Sequence, residues 1–550
     1  MSLEIHVNQQ CARTERGTTL FDAAEALGIR VPTSCRKQGK CKECIVEVTE
    51  GGDLLSARTD AERHLRGDFR LSCCTHFEAA GGIVRYHTMR RGRLRIENLA
   101  YELPVREAGW KPDPTVTREG ERILLDGEEI DRRSGAIHGL ALDLGTTTVV
   151  ARLLDLESGE LVADSAFENP QRFGGSEVMA RIQFDTDDGT RSLQRTLLGY
   201  LNHAIEELPV EARSIYEVVI AGNSTMRDLF FRLSVRSIGQ SPYHSVTEEA
   251  VAAGERTTTA LSTSASKLGL AVHPRARVYG MPIISGHVGA DTAACMLAIN
   301  LAHEDRLVAL MDIGTNTELI LGNRHKLLAA SCPAGPAFEG GEVAFGMPGL
   351  PGAIERARLD DDLQFHCEVI GGGTAEGICG SGMVDVLSEL LRQNQMNALG
   401  RLGSGRREVV LEPRSDPPIT FSGSDINALA QAKGANVAGL RILLEEFGVH
   451  ARDLDVFYLA GGFGRHLDLA SAKRIGLLPD LPDAKIRRVG NAAIEGACIA
   501  LLSRAKREEL ETLVRRARHC RLETHEAFFD AFVEGCHFTP FGHVEGAAAG

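Results

Sequence analysis

Leu140-Ala141-Leu142-Asp143-Leu144-Gly145-Thr146-Thr147-Thr148 reads as an apolar strand that ends on an acidic residue and turns at a glycine followed by hydroxyls. The backbone N–H groups and hydroxyls of such a turn can cradle phosphate, and the glycine lacks the Cβ that would hold the backbone away from phosphoryl oxygens. The carboxylate at the strand end can orient hydrated Mg²⁺ or an attacking water. One turn of this kind is weak evidence, because Asp-Gly-Thr turns occur in many hairpins. It returns, however, as Ala309-Leu310-Met311-Asp312-Ile313-Gly314-Thr315-Asn316-Thr317, with the two aspartates 169 residues apart. That distance suits one repeated domain rather than a short solenoid period. A third element is Val456-Phe457-Tyr458-Leu459-Ala460-Gly461-Gly462-Phe463-Gly464-Arg465, an apolar strand running into a glycine turn. The helix it opens is expected near Asp468, and Gly461, Gly462 and Gly464 allow the backbone to lie flat against an adenine-ribose unit. The three pieces in this order predict a nucleotide clamp.

A second constellation lies near the N-terminus. Cys35-x5-Cys41-x2-Cys44 is followed 29 positions later by Cys73. Three close sulfurs and one distant sulfur fit the plant-type ligation of a 2Fe–2S cluster, whose usual spacing, C-x4-C-x2-C, is one residue shorter. Gly39 and the basic Arg36, Lys37, Lys40 and Lys42 would offer N–H groups and positive charge to an anionic cluster. Four-thiolate zinc is the main rival, although zinc ribbons pair two C-x2-C knuckles and only one is present. Cys74 adjoins Cys73 and complicates the fourth ligand. Cys295, Cys332, Cys379 and Cys498 sit among small and apolar residues, as core cysteines do.

The chain has 550 residues, enough for three or four domains. Residues 1–88 contain the cysteine loop. A capped short helix precedes it, from Thr19 to before Gly28, and the alternating strand Cys44–Val48 follows it. Residues 89–137 carry ten charges of each sign and three prolines, the composition of a solvated linker with one hairpin around Asp126-Gly127. From 138 to 505 the texture is α/β. The remainder, 506–550, reads as a C-terminal extension with a helix, a short strand and a last helix before Phe538-Thr539-Pro540, and a disordered Glu545–Gly550 tail. The net charge of −14, one Trp and 5% aromatics argue against coating nucleic acid or anionic membrane. No apolar run reaches the ~20 residues that span a bilayer, and the start lacks a signal peptide's apolar stretch. A cytoplasmic protein is expected, and thirteen cysteines, an odd number, argue against a complete disulfide framework.

The two D-x-G-T turns and the A-G-G-F-G corner resemble the phosphate and adenosine motifs of the actin, sugar kinase and heat-shock chaperone ATPase superfamily. Gly377-Ile378-Cys379-Gly380-Ser381-Gly382-Met383-Val384-Asp385 resembles one of its connecting helices. Further phrases narrow the match: Asn169-Pro170-Gln171, Glu177-Val178-Met179-Ala180-Arg181-Ile182, Gly222-Asn223-Ser224-Thr225-Met226 and Pro333–Gly340. With the N-terminal ferredoxin, where Arg70-Leu71-Ser72-Cys73 resembles the R-L-x-C of plant-type ferredoxins, the chain resembles the ATP-dependent reductive activators of corrinoid proteins. The resemblance implies a ferredoxin-like β-grasp domain followed by an α/β domain with duplicated ribonuclease-H-like, actin-type halves. It implies a 2Fe–2S cluster on Cys35, Cys41, Cys44 and Cys73, with Cys74 free of iron, and ATP with Mg²⁺. Asp143, Gly145, Thr146 and Thr147 would form the first phosphate loop, and Asp312, Gly314, Thr315 and Asn316 the second. Gly461, Gly462 and Gly464 would face the adenosine. The implied activity returns an electron to Co(II) of a corrinoid protein serving a methyltransferase, regenerating Co(I). Members of the family commonly carry a longer segment between ferredoxin and ATPase, an Asp where Glu177 stands and a Gln where Cys74 stands.

The corrinoid should belong to the partner, because the chain has no D-x-H-x-x-G signature. An external low-potential donor should supply the electron, because no G-x-G-x-x-G follows an early strand. Homodimerisation is left open. Three other readings stand beside this one: an activator of a different metalloenzyme such as a radical dehydratase, a redox-regulated small-molecule kinase, and a nucleotide-gated binding protein. The Arg90-Arg91-Gly92-Arg93 run reads as linker charge rather than a docking patch, and the eighteen histidines form no metal-binding motif.

Overall fold

A computed structural model of the chain describes residues 3–541 apart from 9, 90–110, 414–416, 463 and 465. The Arg90–Arg93 run and the Glu545–Gly550 tail lie outside the described residues. The chain forms two compact units. The first takes the N-terminal domain, the segment ending at Ala294 and Gly496–Glu508, and the second takes Cys295–Glu495 and the chain from Glu509.

The first unit opens with a five-stranded sheet of β1 (Leu3–Val7), β2 (Gln10–Thr14), β3 (Ile45–Glu50), β4 (Phe69–Leu71) and β5 (Ile83–Thr88), in the order β2-β1-β5-β3-β4. Leu3, Ile5 and Val7 alternate inward as a half-buried strand requires. They meet α1 (Leu20–Ala26), whose N-cap Thr19 accepts the Asp22 N–H at 2.9 Å. This is the ferredoxin-like β-grasp. Its buried carboxylate, Glu62, accepts from Arg70 Nε at 2.8 Å, the Leu71 N–H at 3.0 Å, the Thr75 hydroxyl at 3.2 Å and the Thr59 N–H at 2.9 Å. It thereby ties Arg70 and Leu71 of β4 to Thr75, on either side of Cys73.

Between ferredoxin and α/β domain, β6 (Val116–Glu119), β7 (Arg122–Leu125) and β8 (Glu128–Arg132) form a three-stranded meander. Its β7–β8 turn uses Asp126 and Gly127 at φ 50° and 84°. The sheet that follows contains β9 (His138–Leu144), β10 (Thr148–Asp155), β11 (Leu161–Glu168), β12 (Ile215–Gly222), β13 (Leu261–Ser264) and β14 (Arg277–Gly280), in the order β11-β10-β9-β12-β14-β13. Three antiparallel strands are followed by two parallel ones, the ribonuclease-H-like arrangement. Around them lie α2 (Val178–Asp188), α3 (Ser192–Glu206), α4 (Ser224–Phe230), α5 (Val246–Ala252), α6 (Ala265–Leu268) and α7 (Ala290–Ala298), the last carrying the chain out of the unit.

Ferredoxin and α/β half share one apolar core in this unit. Phe173 packs edge-on between Phe69 and Phe184, with ring centroids 6.4 and 5.4 Å away. Arg172 pairs with Glu47 of β3, the Thr196 hydroxyl donates to the Lys42 carbonyl at 3.1 Å, and the Met89 N–H donates to the Tyr200 hydroxyl at 3.1 Å.

The second unit repeats the plan with β15 (Val308–Ile313), β16 (Thr317–Gly322) and β17 (Leu327–Cys332) antiparallel and β23 (Val456–Ala460) and β24 (Ile486–Gly490) parallel, in the order β24-β23-β15-β16-β17. Inserted pieces are β18 (Ala353–Leu359), β19 (Phe365–Val369), β20 (Gly377–Ile378), α8 (Gly380–Arg392), β21 (Glu408–Glu412), β22 (Ile419–Ser422) and α9 (Gly423–Phe447). After β23 comes α10 (Leu469–Arg474), capped by Asp468. Beyond β24 lie α11 (Ala492–Leu502) and α12 (Arg504–Arg516). The stretch beyond 505, read from sequence as an extension, adds β25 (Arg518–His519) to the edge of this sheet beside β17. It also lays α13 (Phe528–Gly535) on α9, where the buried Lys433 ammonium donates to the Gly535 and His537 carbonyls at the end of α13. Among the described residues no helix is long and apolar enough to cross a membrane.

Burial alone would raise Glu62, but Arg70 and the Thr59 and Leu71 N–H groups bring it down to about 2. A depressed folded pKa stabilises above the unfolded value near 4.5 and loses that contribution as pH falls toward 2. Glu62→Gln is therefore expected to cost about 3 kcal/mol at pH 7, since it leaves Arg70 buried without its partner. Thermal unfolding followed by circular dichroism should show the gap to wild type narrowing from pH 5 toward pH 2.

Candidate functional site

The cysteine loop carries an unusual run of left-handed residues: Arg36, Lys37, Gly39 and Lys42 at φ 52°, 63°, 69° and 64°. Three of these are not glycine, so the loop stores strain, and left-handed residues within a loop can turn backbone N–H groups toward one centre. Partial burial pushes the Cys35 thiol up, but hydrogen bonds from the backbone of Cys41, Lys40 and Gln38 and from the Cys41 side chain outweigh it, and the net shift is downward. The three backbone N–H groups, of Gln38, Lys40 and Cys41, are the donors a thiolate ligand needs. Two of the lysines do not serve the loop's centre, as their number in the sequence suggests. The Lys37 ammonium donates to Asp22 at 2.7 Å and Glu25 at 2.8 Å, and that of Lys42 reaches the Ala61 carbonyl.

The four sulfurs lie as two pairs. Cys44 and Cys73 are 3.3 Å apart, while Cys35 and Cys41 both approach the Thr33 hydroxyl, at 4.0 and 3.9 Å. Among the described residues no three thiols, imidazoles or carboxylates gather as one metal ion would require. A 2Fe–2S cluster takes two thiolates per iron, and the paired arrangement fits it. Cys74 lies 3.7 Å from Cys73 and on the Gly39 side, where a Cβ on Gly39 would come within 2.7 Å of its sulfur.

The first D-x-G-T turn joins β9 to β10. All three of its carbonyls are taken. Gly145 O accepts from Asn169 Nδ2 at 2.7 Å, Thr146 O from Arg181 Nη2 at 2.7 Å, and Thr147 O from the Asn169 N–H at 2.6 Å. In a planar trans peptide the N–H points opposite to the carbonyl, so this anchoring aims the turn's amides to the other side. Asn223 Nδ2 donates to the Thr146 hydroxyl at 3.0 Å and its Oδ1 caps α4 through the Met226 N–H at 2.9 Å. Gly145 and Gly222 are required sterically: a Cβ would lie 2.6 Å from Thr148 O at the first and 2.7 Å from Leu144 O at the second. Three phrases far apart in sequence, around Asn169, Arg181 and Asn223, thus converge on one turn.

Asp291, at the start of α7, was not visible from the sequence. Gly289 lets it in, since a Cβ there would come within 2.5 Å of Asn223 Cα. Burial, together with the charge of neighbouring Asp143, pushes the Asp291 carboxyl up against the opposing Thr292 N–H. The signal that could have revealed it is the glycine pair Gly286 and Gly289 directly before a helix.

The second unit builds its turn differently. The Thr315 hydroxyl bonds Glu339, from the Pro333–Gly340 phrase, and the Cys295 thiol donates to Asp312 Oδ2 at 3.4 Å. Gly461, at φ 93°, packs on this turn, where a Cβ would strike Ile313 O at 2.6 Å and Asp312 Oδ1 at 3.0 Å. The glycine corner therefore sits on the second turn, as one binding surface would need. Beyond it, α8, α10 and β18 enclose a groove of about 570 Å³ lined by Arg356, Asp385, Glu389, Asp468, Ser471 and Arg474. Arg356 lies 3.6 Å from Asp468 and 3.8 Å from Asp385.

Paired thiols on a β-grasp ferredoxin, followed by two ribonuclease-H-like units that each carry a D-x-G-T turn, define an iron–sulfur protein with an actin-type ATPase domain. The chain belongs to the RACo family. Residues 306–543 match the C-terminal, ASKHA domain of RACo, 138–304 match the RACo middle region, and 5–78 match the 2Fe-2S iron-sulfur cluster binding domain. The corrinoid activation enzyme RamQ of Eubacterium limosum is 27% identical over 593 aligned positions covering 96% of each chain. The Co(II) methylated amine-specific corrinoid protein reductase of Methanosarcina barkeri is 24% identical, over 71% of this chain and 75% of its own length. A solved structure of a reductive activator for corrinoid, iron-sulfur protein superposes with a TM-score of 0.71 at 27% identity, covering 98% of both chains.

Replacing Cys35, Cys41, Cys44 or Cys73 by Ser is expected to abolish or deform the visible absorption of the reconstituted cluster, and Cys74→Ser to preserve it, with iron and sulfide content as the check. Asn169→Ala, which releases the Gly145 carbonyl but keeps the backbone N–H on Thr147 O, should weaken MgATP binding by roughly tenfold, measured by isothermal titration.

Proposed function

We propose that this protein is an ATP-dependent reductive activator of a corrinoid protein, returning an electron to Co(II) so that Co(I) is regenerated for methyl transfer. The observation that carries the reading is the union, on one chain, of a thiolate loop built for electron transfer with an ATPase domain. That union extends over nearly the full length of the corrinoid activation enzyme it resembles. A bound 2Fe–2S cluster supplies one-electron chemistry and nothing else.

The chain's own residues do the rest. Cys35 and Cys41 would hold one iron, and Cys44 and Cys73 the other. Gly145, Thr146 and Thr147 are assigned to phosphate, as are Gly314, Thr315 and Asn316. Gly461, Gly462 and Gly464 are assigned to adenosine, with the Arg356–Arg474 groove beside them for the base. Asp143 and Asp312 would hold Mg²⁺ through its water shell. Asp291, raised by burial and by Asp143, is suited to take the proton from the water that attacks the terminal phosphate. An external low-potential donor reloads the ferredoxin, and the corrinoid arrives on its own protein.

The test is anaerobic: reduced protein is mixed with a Co(II) corrinoid protein and cobalt is followed by absorbance with and without MgATP. Co(I) is expected only with MgATP, with Cys41→Ala and Asp312→Ala each lowering the rate at least about a hundredfold. Phosphate transferred to a small-molecule acceptor instead of released as inorganic phosphate, with no cobalt reduction across several corrinoid proteins, would replace this reading with that of a kinase.

A further inference from the structure

The chain buries several arginines, and they are not alike. Arg227 is held by Asp228 at 2.6 Å, Arg507 by Glu217 at 2.9 Å, and Arg70 by Glu62 at 2.8 Å. Each has its counter-ion, as a charge removed from water requires. Arg181 on α2 is 1% exposed, one of the largest fully buried side chains in the molecule, and has none. Its guanidinium donates to Gly175 O at 2.9 Å, to Thr146 O at 2.7 Å and toward the Met226 sulfur at 3.2 Å. All three acceptors are neutral, and among the described residues no carboxylate pairs with it. Burial pushes it down to about 9.

A protein can tolerate a buried cation without an anion if the anion comes with a ligand. The position of Arg181 identifies where that ligand would bind. It lies directly behind the first phosphate turn and holds the middle carbonyl of the three. The same turn is gripped from the side by Asn223, which donates to the Thr146 hydroxyl. A guanidinium on the Thr146 carbonyl polarises that peptide and leaves its positive charge in a low-dielectric wall, where it is little screened.

We propose that Arg181 is a positioning residue whose counter-charge is the phosphate of the bound nucleotide, reached through the Thr146 peptide rather than by direct contact. This rests on the assignment of Gly145–Thr147 to phosphate. The Arg181 charge should then act on ligands in proportion to their phosphates, which a purely structural arginine would not do.

The measurement is titration of the full-length, cluster-reconstituted protein with MgATP and, separately, with adenosine. Arg181→Gln keeps a donor for the Thr146 carbonyl but removes the charge, and Arg181→Lys keeps the charge. Arg181→Gln is expected to bind MgATP roughly ten- to a hundredfold more weakly and adenosine as wild type does, with the visible cluster spectrum unchanged. Arg181→Lys should stay within about threefold for both. Equal losses for MgATP and adenosine, or undiminished MgATP binding by Arg181→Gln, would overturn the proposal while leaving the nucleotide reading intact. Wild-type protein that binds no MgATP would overturn both. If Arg181→Gln does not fold, Arg181→Lys decides: MgATP binding near wild type supports the charge, and a loss of tenfold or more refutes it.

Discussion

The three carbonyls of Gly145, Thr146 and Thr147 are turned to one side and held there by Asn169 and Arg181. Most of the first unit can be understood as the means of doing this. The β11 strand, paired in register with β10, ends at Glu168, so Asn169 arrives at the mouth of the β9–β10 turn. The 3₁₀ turn Pro170–Gly174 starts there, with Asn169 accepting the Gln171 N–H at 2.9 Å. The residues after it place α2 so that Arg181 reaches back. A hairpin turn left to itself would present carbonyls and amides alike to a ligand. Once the carbonyls are bound behind, the exposed side has mainly donors, which is what an anion needs.

The two units share a topology without sharing this device. In the second, Glu339 takes the threonine hydroxyl, a thiol steadies the aspartate, and a glycine corner presses onto the turn. Their common strand order fixes where an aspartate emerges, next to the last residue of β9 in one unit and of β15 in the other. The side chains around each aspartate then differentiate the two turns.

The β-grasp, the repeated half and the glycine corner were legible in the sequence, because each leaves a local signature. Three of the four cysteines assigned to the cluster are closely spaced on one loop. A strand that ends in Asp-x-Gly-Thr needs its residues in order, and a capped helix announces both ends, as α1 and α10 do. What could not be read were contacts between residues distant in the chain. Asn169, Arg181 and Asn223 stood in phrases that matched a family but had no stated task until the fold brought them to Thr146. Asp291 and Cys295 look like ordinary members of an apolar helix, and Glu62 like one more surface acid. The sequence's emphasis on loop lysines was also misleading, because charge counted along the chain says nothing about direction, and Lys37 points to α1.

Arg172 and Phe173 give the ferredoxin a standing that its compact motif does not suggest. Iron–sulfur modules of this size are easily pictured as cassettes, interchangeable between hosts through a length of linker. Here the host's 3₁₀ turn fits Glu47 and Phe69, and its α3 reads the carbonyl of Lys42 within the cysteine loop itself. A foreign ferredoxin grafted in its place would have to reproduce those three points or leave apolar surface bare. Ferredoxin and first half are therefore one inheritance, and substitutions on either side of their seam should change together.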